Sequence, residues 1–240
     1  MGSTRVNLTE NRTPQFRVLS DDQKETIFNG MIRTLNSTGA HVHNEKAREI
    51  LASNGCTVDN DGLTVYIPPE VVLKALSTVP PVTEVFCWDG DKEKNITIER
   101  GRSYFGPGPT PPNFIDPDTL ERRPYVRKDA SLVARVCDAL PNIGYVQSLG
   151  SISDVTGPLA DIYEFADMIR NTTTPIMSWS FAREGCRDEH RMAVAMAGGE
   201  EQFKRKPNYI FYGEPISPLV SDFHAIDKCM YCAENRIPQV

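Results

Sequence analysis

The chain has 240 residues, 40% hydrophobic and 24% charged, with a formal net charge of −6 at pH 7. That hydrophobic fraction can bury a substantial core and excludes a chain disordered by composition. The acidic balance, with no Lys/Arg run interleaved with aromatics, excludes a nucleic-acid surface as the working assumption.

The N-terminal MGSTRVNLTENRTPQF lacks an apolar leader core, and no run approaches the roughly 20 apolar residues of a membrane span, so a cytoplasmic protein is expected. Six cysteines (Cys56, Cys87, Cys137, Cys186, Cys229 and Cys232) show no disulfide-framework spacing and are expected to be free thiols.

Residues up to about Gln15 read as a mobile tail. Ser20-Asp21-Asp22 caps a helix whose Ile27, Met31, Ile32 and Leu35 have helical spacing before Gly39. A second helix spans 44–54, closed by Gly55, and Thr64 to Ile67 reads as a strand. Pro68-Pro69-Glu70 starts a third helix that Pro80-Pro81 stops. Thr83 to Trp88 and Asn95 to Glu99 alternate like a hairpin around Asp89-Gly90-Asp91. These elements make an N-terminal α+β layer, residues 1–100.

Three prolines and two glycines in 106–111 form a rigid loop after Tyr104-Phe105, and Phe114 to Arg123 suggests a further hairpin. A helix capped at Asp129 follows, with Leu132, Val133, Val136 and Leu140 expected to face inward. From Pro141 one pattern recurs: an apolar run of strand length, a turn, then an amphipathic helix. The runs are Ile143 to Leu149, Ile176 to Phe181, Asn208 to Gly213, and the start of a fourth at Ile237. The helices between them are expected to bury Leu159, Ile162, Phe165, Ala166 and Ile169, then Met192, Ala195 and Met196, then Phe223, Ile226 and Met230.

Strand starts about every 30 residues match βα units of a parallel sheet. Without a G-x-G-x-x-G or P-loop pattern at any helix start, a TIM-type (β/α) barrel is the better expectation than a nucleotide-binding doubly wound sheet. A full barrel needs roughly 250 residues, so residues 101–240 would supply only its first strands and helices, as the N-terminal part of a longer polypeptide. The alternative is an open sheet.

In a barrel the active site lies at the C-terminal ends of the strands. The residues there are Tyr104, Phe105, Gln147, Ser148, Trp179, Phe181, Tyr212 and Glu214. An aromatic lining with one or two acids suits a quaternary or tertiary ammonium, which is held by π-faces; for any one of Trp179, Phe181 and Tyr212, packing is the simpler reading. Glu214, in Gly-Glu-Pro, could counter a cation or anchor its loop. Cys229-Met-Tyr-Cys232 with His224 nearby has zinc-like spacing, but no second Cys/His pair completes the site, and small core residues are the simpler reading. His190 is expected on the polar face of its helix. No nucleophile set of the Ser/His/Asp or Cys/His kind can be assembled.

The same segments resemble the N-terminal half of the trimethylamine:corrinoid methyltransferase family. The resemblance rests on GAHVHNEKAREILASNGCTVD (Gly39 to Asp59), TVYIPPEVVLKALSTVP (Thr64 to Pro80), RPYVRKD (Arg123 to Asp129), Asp138-Ala-Leu-Pro-Asn-Ile143, Thr174-Pro175-Ile176, and Gly213 with Ser217-Pro218-Leu219. It implies a (β/α) barrel that takes a methyl group from a methylated amine and passes it to the Co(I) of a corrinoid (cobalamin) carried by a separate partner protein. No metal would be bound directly. Some members carry pyrrolysine, at a position in the family's second half; those without it are similar to enzymes for quaternary amines such as glycine betaine, the substrate type expected here. A zinc-dependent methyltransferase on the same barrel and a non-catalytic partial barrel are the competing readings, and unpaired strand edges would favour a homo-oligomer.

Overall fold

The computed structural model of the chain describes residues 17–109, 111–213 and 216–240; the expected tail up to Gln15 and the candidate Glu214 lie outside them. The chain divides into two units, one built from Val82–Gly213 with Met230–Val240, the other from the described residues of 14–81 with those of 214–229. Helix α8 (Phe223–Asn235) passes from one to the other.

In the unit holding the early residues, local chemistry sets the helix starts. Helix α1 (Asp21–Ser37) begins after Ser20, whose hydroxyl accepts the Gln23 N–H (3.2 Å) while the Gln23 side chain accepts the Ser20 N–H (2.9 Å), a reciprocal cap. Helix α2 (Glu45–Ser53) begins after buried Asn44, whose Oδ1 accepts the Ala47 N–H at 3.0 Å. Helix α3 (Pro69–Thr78) has proline in its first turn. Strands β1 (Ala40–Val42), β2 (Thr57–Val58) and β3 (Thr64–Tyr66) join β10 (Val220–Ser221) in a four-stranded sheet of order β10-β1-β3-β2. Strand β1 pairs antiparallel with β3 (Ala40 with Val65) and parallel with β10 (His41 with Val220). Gly39 enters β1 at φ +77°, and a Cβ there would stand 2.8 Å from the Val65 carbonyl oxygen, so only glycine fits.

The other unit opens with the expected hairpin, β4 (Val82–Val85) against β5 (Ile96–Glu99), and a second, β6 (Asn113–Ile115) against β7 (Arg122–Pro124). Helix α4 (Arg127–Ala139) starts earlier than the sequence suggests. Asp129 is its third residue, not its cap, and reaches back to accept the Val126 N–H at 3.0 Å. Helix α5 (Ala160–Ile169), strand β8 (Ile176–Ser178), helices α6 (Arg183–Ala197) and α7 (Glu200–Arg205), and strand β9 (Tyr209–Phe211) follow.

Strands β8 and β9 run parallel, Ile176 beside Tyr209 and Ser178 beside Phe211; Val146 bridges to Ile176 and Gln239 to Phe211, both in parallel sense. The four apolar runs therefore lie side by side in chain order. They are shorter than the sequence suggests: the first shrinks to the Val146 bridge, because the chain turns at Ser148, whose hydroxyl donates to the Gly150 carbonyl at 2.6 Å. The result is a mixed α/β chain of small sheets, none closed into a barrel among the described residues.

Around these strands Val146, Ile176, Tyr209 and Phe211 pack with Phe165 and Met168 of α5, Cys186 and Ala193 of α6, and Phe203 of α7 in one buried cluster. The helix faces are rotated from the expected ones. In α4, Ala130, Ala134 and Cys137 are buried, whereas Leu132, Val136 and Leu140 are exposed. In α6, Cys186, Glu189, His190 and Ala193 are buried and Met196 is exposed, so His190 faces inward, where burial lowers its pKa. In α4 and α6 the buried apolar positions hold alanines and cysteines, while the larger Leu132, Val136 and Met196 stay exposed. None of the six cysteines, all among the described residues, forms a disulfide.

Candidate functional site

The geometry is organised by α5 and the loop leaving β8. Asp161 and Glu164, three residues apart, share a helix face, and both are buried, at 2% and 1% exposure. Asp161 Oδ2 accepts the Phe181 N–H at 3.0 Å, and Glu164 Oε2 accepts the Trp179 indole N–H at 3.3 Å. Glu164 Oε1 takes the Ile152 N–H at 2.9 Å. One helix thus holds both ends of the segment Trp179-Ser180-Phe181. The two rings meet edge to face, 4.6 Å between centroids, with Phe181 half exposed at 50%.

A third acid, Glu189 of α6, is fully buried; Oε2 accepts from the Ser178 hydroxyl at 2.7 Å, while Oε1 has no partner among the described residues. Burial raises its pKa well above the ordinary value, with Cys186, Asp161 and Glu164 adding to the rise. Burial thus favours its neutral form. Burial likewise pushes Glu164 up to about 7, against the hydrogen bonds from Ile152 and Trp179. Ser148 is buried, its hydroxyl donating to the Gly150 carbonyl at 2.6 Å.

The remaining candidates are placed as follows. Gln147 is buried, at 2% exposure, and its Nε2 has no acceptor among the described residues. Tyr212 is half-buried, its N–H donating to the Ser178 carbonyl at 2.7 Å. Tyr104 is engaged in packing: its hydroxyl oxygen accepts the Thr97 N–H at 2.9 Å and its ring lies over Gly144. Phe105 is 68% exposed, and its carbonyl accepts the Gly144 N–H. Glu214 is outside the described residues. The zinc-like set does not gather: among the described residues no three His, Cys, Asp or Glu side chains could hold a metal, and Cys232 Sγ lies 3.8 Å from Cys186 Sγ.

Sequence reasoning missed Asp161, Glu164 and Glu189. A signal existed: Asp161, Glu164 and Asp167 recur every three residues beside Phe165 and Met168, which places acids on the apolar face.

The loop's fit is tight at Gly185, where a Cβ would stand 2.4 Å from Asp161 Oδ2 and 3.1 Å from the Ser180 Cβ. Gly185→Ala, a change that ordinarily favours a helix by about 1 kcal/mol, is expected here to destabilise by about 1–3 kcal/mol. Chemical denaturation checks the sign.

A family model described as trimethylamine methyltransferase (MTTB) matches residues 2–240. Trimethylamine methyltransferase MttB of Desulfitobacterium hafniense is 26% identical over 91% of this chain and 44% of its own length. The protein of the same name from Methanosarcina barkeri is 28% identical over 93% of this chain and 46% of its own. A glycine betaine methyltransferase of Desulfitobacterium hafniense is 23% identical over 92% and 45%. The chain thus spans about half the length of the curated relatives it matches, and with nearly every residue inside the family's pattern it belongs to the trimethylamine methyltransferase (MTTB) family.

Proposed function

We propose that this chain supplies the first strands of a corrinoid-dependent methyltransferase barrel that accepts a methylated amine, of the quaternary type represented by glycine betaine, at the end of β8. The observation that carries this reading is the Trp179–Phe181 pair held by Glu164 and Asp161. A quaternary ammonium has no N–H to donate, so π-faces and a nearby negative charge are what can hold it.

Gln147, with a buried amide donor lacking an acceptor, supports a substrate that also carries a carboxylate. On this reading Trp179 and Phe181 cradle the trimethylammonium head, Glu164 supplies compensating charge, and the loop excludes water from the carbon to be transferred. The corrinoid is a second substrate presented by a partner protein, and its Co(I) supplies the nucleophile. One N–CH3 bond breaks, the nitrogen keeps the electron pair, and the tertiary amine leaves neutral. Alignment and desolvation are what the protein contributes, so no acid or base is needed at the nitrogen.

The test is kinetic. In the intact gene product, Trp179→Ala is expected to raise the KM for glycine betaine about tenfold, the loss of a partly desolvated cation–π contact of about 1–2 kcal/mol. Phe181→Leu, which keeps bulk and removes the π-face, should shift KM in the same direction. An unchanged KM in both variants would remove these residues from the site.

A further inference from the structure

At the opposite end of β8 the chain carries a second cleft, of about 510 Å3, between Trp88-Asp89, the last turn of α4, the end of α5 with the turn Asn171 to Thr173, and Met196 of α6. Its size is that of a small-molecule pocket. Its acids are already satisfied. Asp138 Oδ1 accepts the Thr172 hydroxyl (2.8 Å), the Thr173 N–H (2.9 Å) and the Thr174 hydroxyl (3.0 Å), and the Lys94 ammonium stands 3.3 Å away. Burial acts to raise the Asp138 pKa, but these donors and the Lys94 charge outweigh it and hold the carboxyl well below its usual range. Asp89 accepts the Asp91 N–H at 2.9 Å and lies 3.9 Å from the same Lys94.

The cleft also carries two arginines and an indole. Arg135 and Arg170 both line the cleft, and neither has an acidic partner among the described residues. The Trp88 indole N–H, buried in the wall, has no acceptor there either. Two guanidiniums without acidic partners on one cleft are matched by a planar or tetrahedral oxyanion.

We infer that this cleft binds a small oxyanion, a phosphate or carboxylate group, between Arg135 and Arg170, with Trp88 in its wall. It is separate from the strand-end site and does not rest on the methyltransferase reading.

The chain contains two tryptophans, so Trp179→Phe leaves Trp88 as the reporter in this chain. In this chain bearing that change, inorganic phosphate and citrate are titrated separately against Trp88 fluorescence, with sodium chloride at matched ionic strength as control. A saturable change with at least one of the two is expected, and which one responds identifies the group. Arg135→Ala with Arg170→Ala, both at exposed positions, should weaken it at least tenfold with an unchanged melting temperature. No saturable change with either anion, an equal change with chloride, or full binding in the double variant would overturn the inference.

Discussion

Glu164→Gln is expected to flatten the dependence of stability on pH between 4.5 and 8. The Glu164 carboxyl titrates near 7 in the folded chain, against an ordinary value of 4.5, because burial opposes its charge. Its contribution is fully present below the unfolded value and is lost as pH rises through the folded one, since the folded state holds the proton longer. The gap is worth about 3 kcal/mol at 1.36 kcal/mol per pH unit. The variant, neutral throughout, should lie within about 1 kcal/mol of the parent at pH 4.5, the worth of one acceptor exchanged for a donor. At pH 8 it should be the more stable by about 2 kcal/mol. Urea denaturation across this range reads the difference, and parallel curves for the two proteins would mean that Glu164 is not the titrating group. In the proposed site the same proton opposes a bound cation, so affinity for glycine betaine should rise through pH 7 in the parent and stay level in the variant.

Arg123→Ala should be among the most destabilising surface-proximal changes. Arg123 grips Asp129 with two bonds, Nη1 to Oδ2 at 2.6 Å and Nη2 to Oδ1 at 2.8 Å, and holds Asp116 through Nε at 2.8 Å. The Asp129 side chain is only 3% exposed, so removing the guanidinium strands a buried carboxylate, a loss of about 3–5 kcal/mol. The Arg123 bonds are the main reason that the Asp129 pKa is depressed. A depressed carboxyl contributes stability above its unfolded value, near ~4, and loses it as pH falls through the lower folded value. The deficit of the variant should therefore be largest at neutral pH and narrow in acid. Adding Asp129→Asn to Arg123→Ala should recover part of it; a double variant as unstable as the sum of the single ones would place the loss elsewhere.

These two residues also show what a sequence reveals and what it hides. Arg123 and Asp129 fall in a segment whose motif was legible, and the hairpin and helix around them lie close to their expected places. Local chemistry was readable throughout: Ser20 with Gln23, Asn44, and Pro69 mark helix starts because capping involves neighbours along the chain. The Trp179–Phe181 end of β8 was legible for a similar reason, since a strand end followed by a turn is a local pattern. Glu164 was not. Its importance comes from Ile152 and Trp179, 12 and 15 residues away, and a carboxylate on a helix ordinarily signals the solvated face. Strand β10 was hidden for the same kind of reason, its pairing with β1 joining His41 to Val220 across most of the chain. Helix faces were misjudged where bulky residues such as Leu132 and Met196 sit outside and alanines and cysteines line the seam, because size, not hydrophobicity alone, decides which side chain fits beneath a strand.

The measurement that bears most directly on the proposed chemistry is spectroscopic. The intact gene product is mixed with reduced cob(I)alamin and either glycine betaine or trimethylamine, and the Co(I) absorbance is followed. Loss of that absorbance with glycine betaine, slowed by Trp179→Ala and absent with trimethylamine, is the expected result. A Co(I) signal that persists with both amines would contradict methyl transfer at this site.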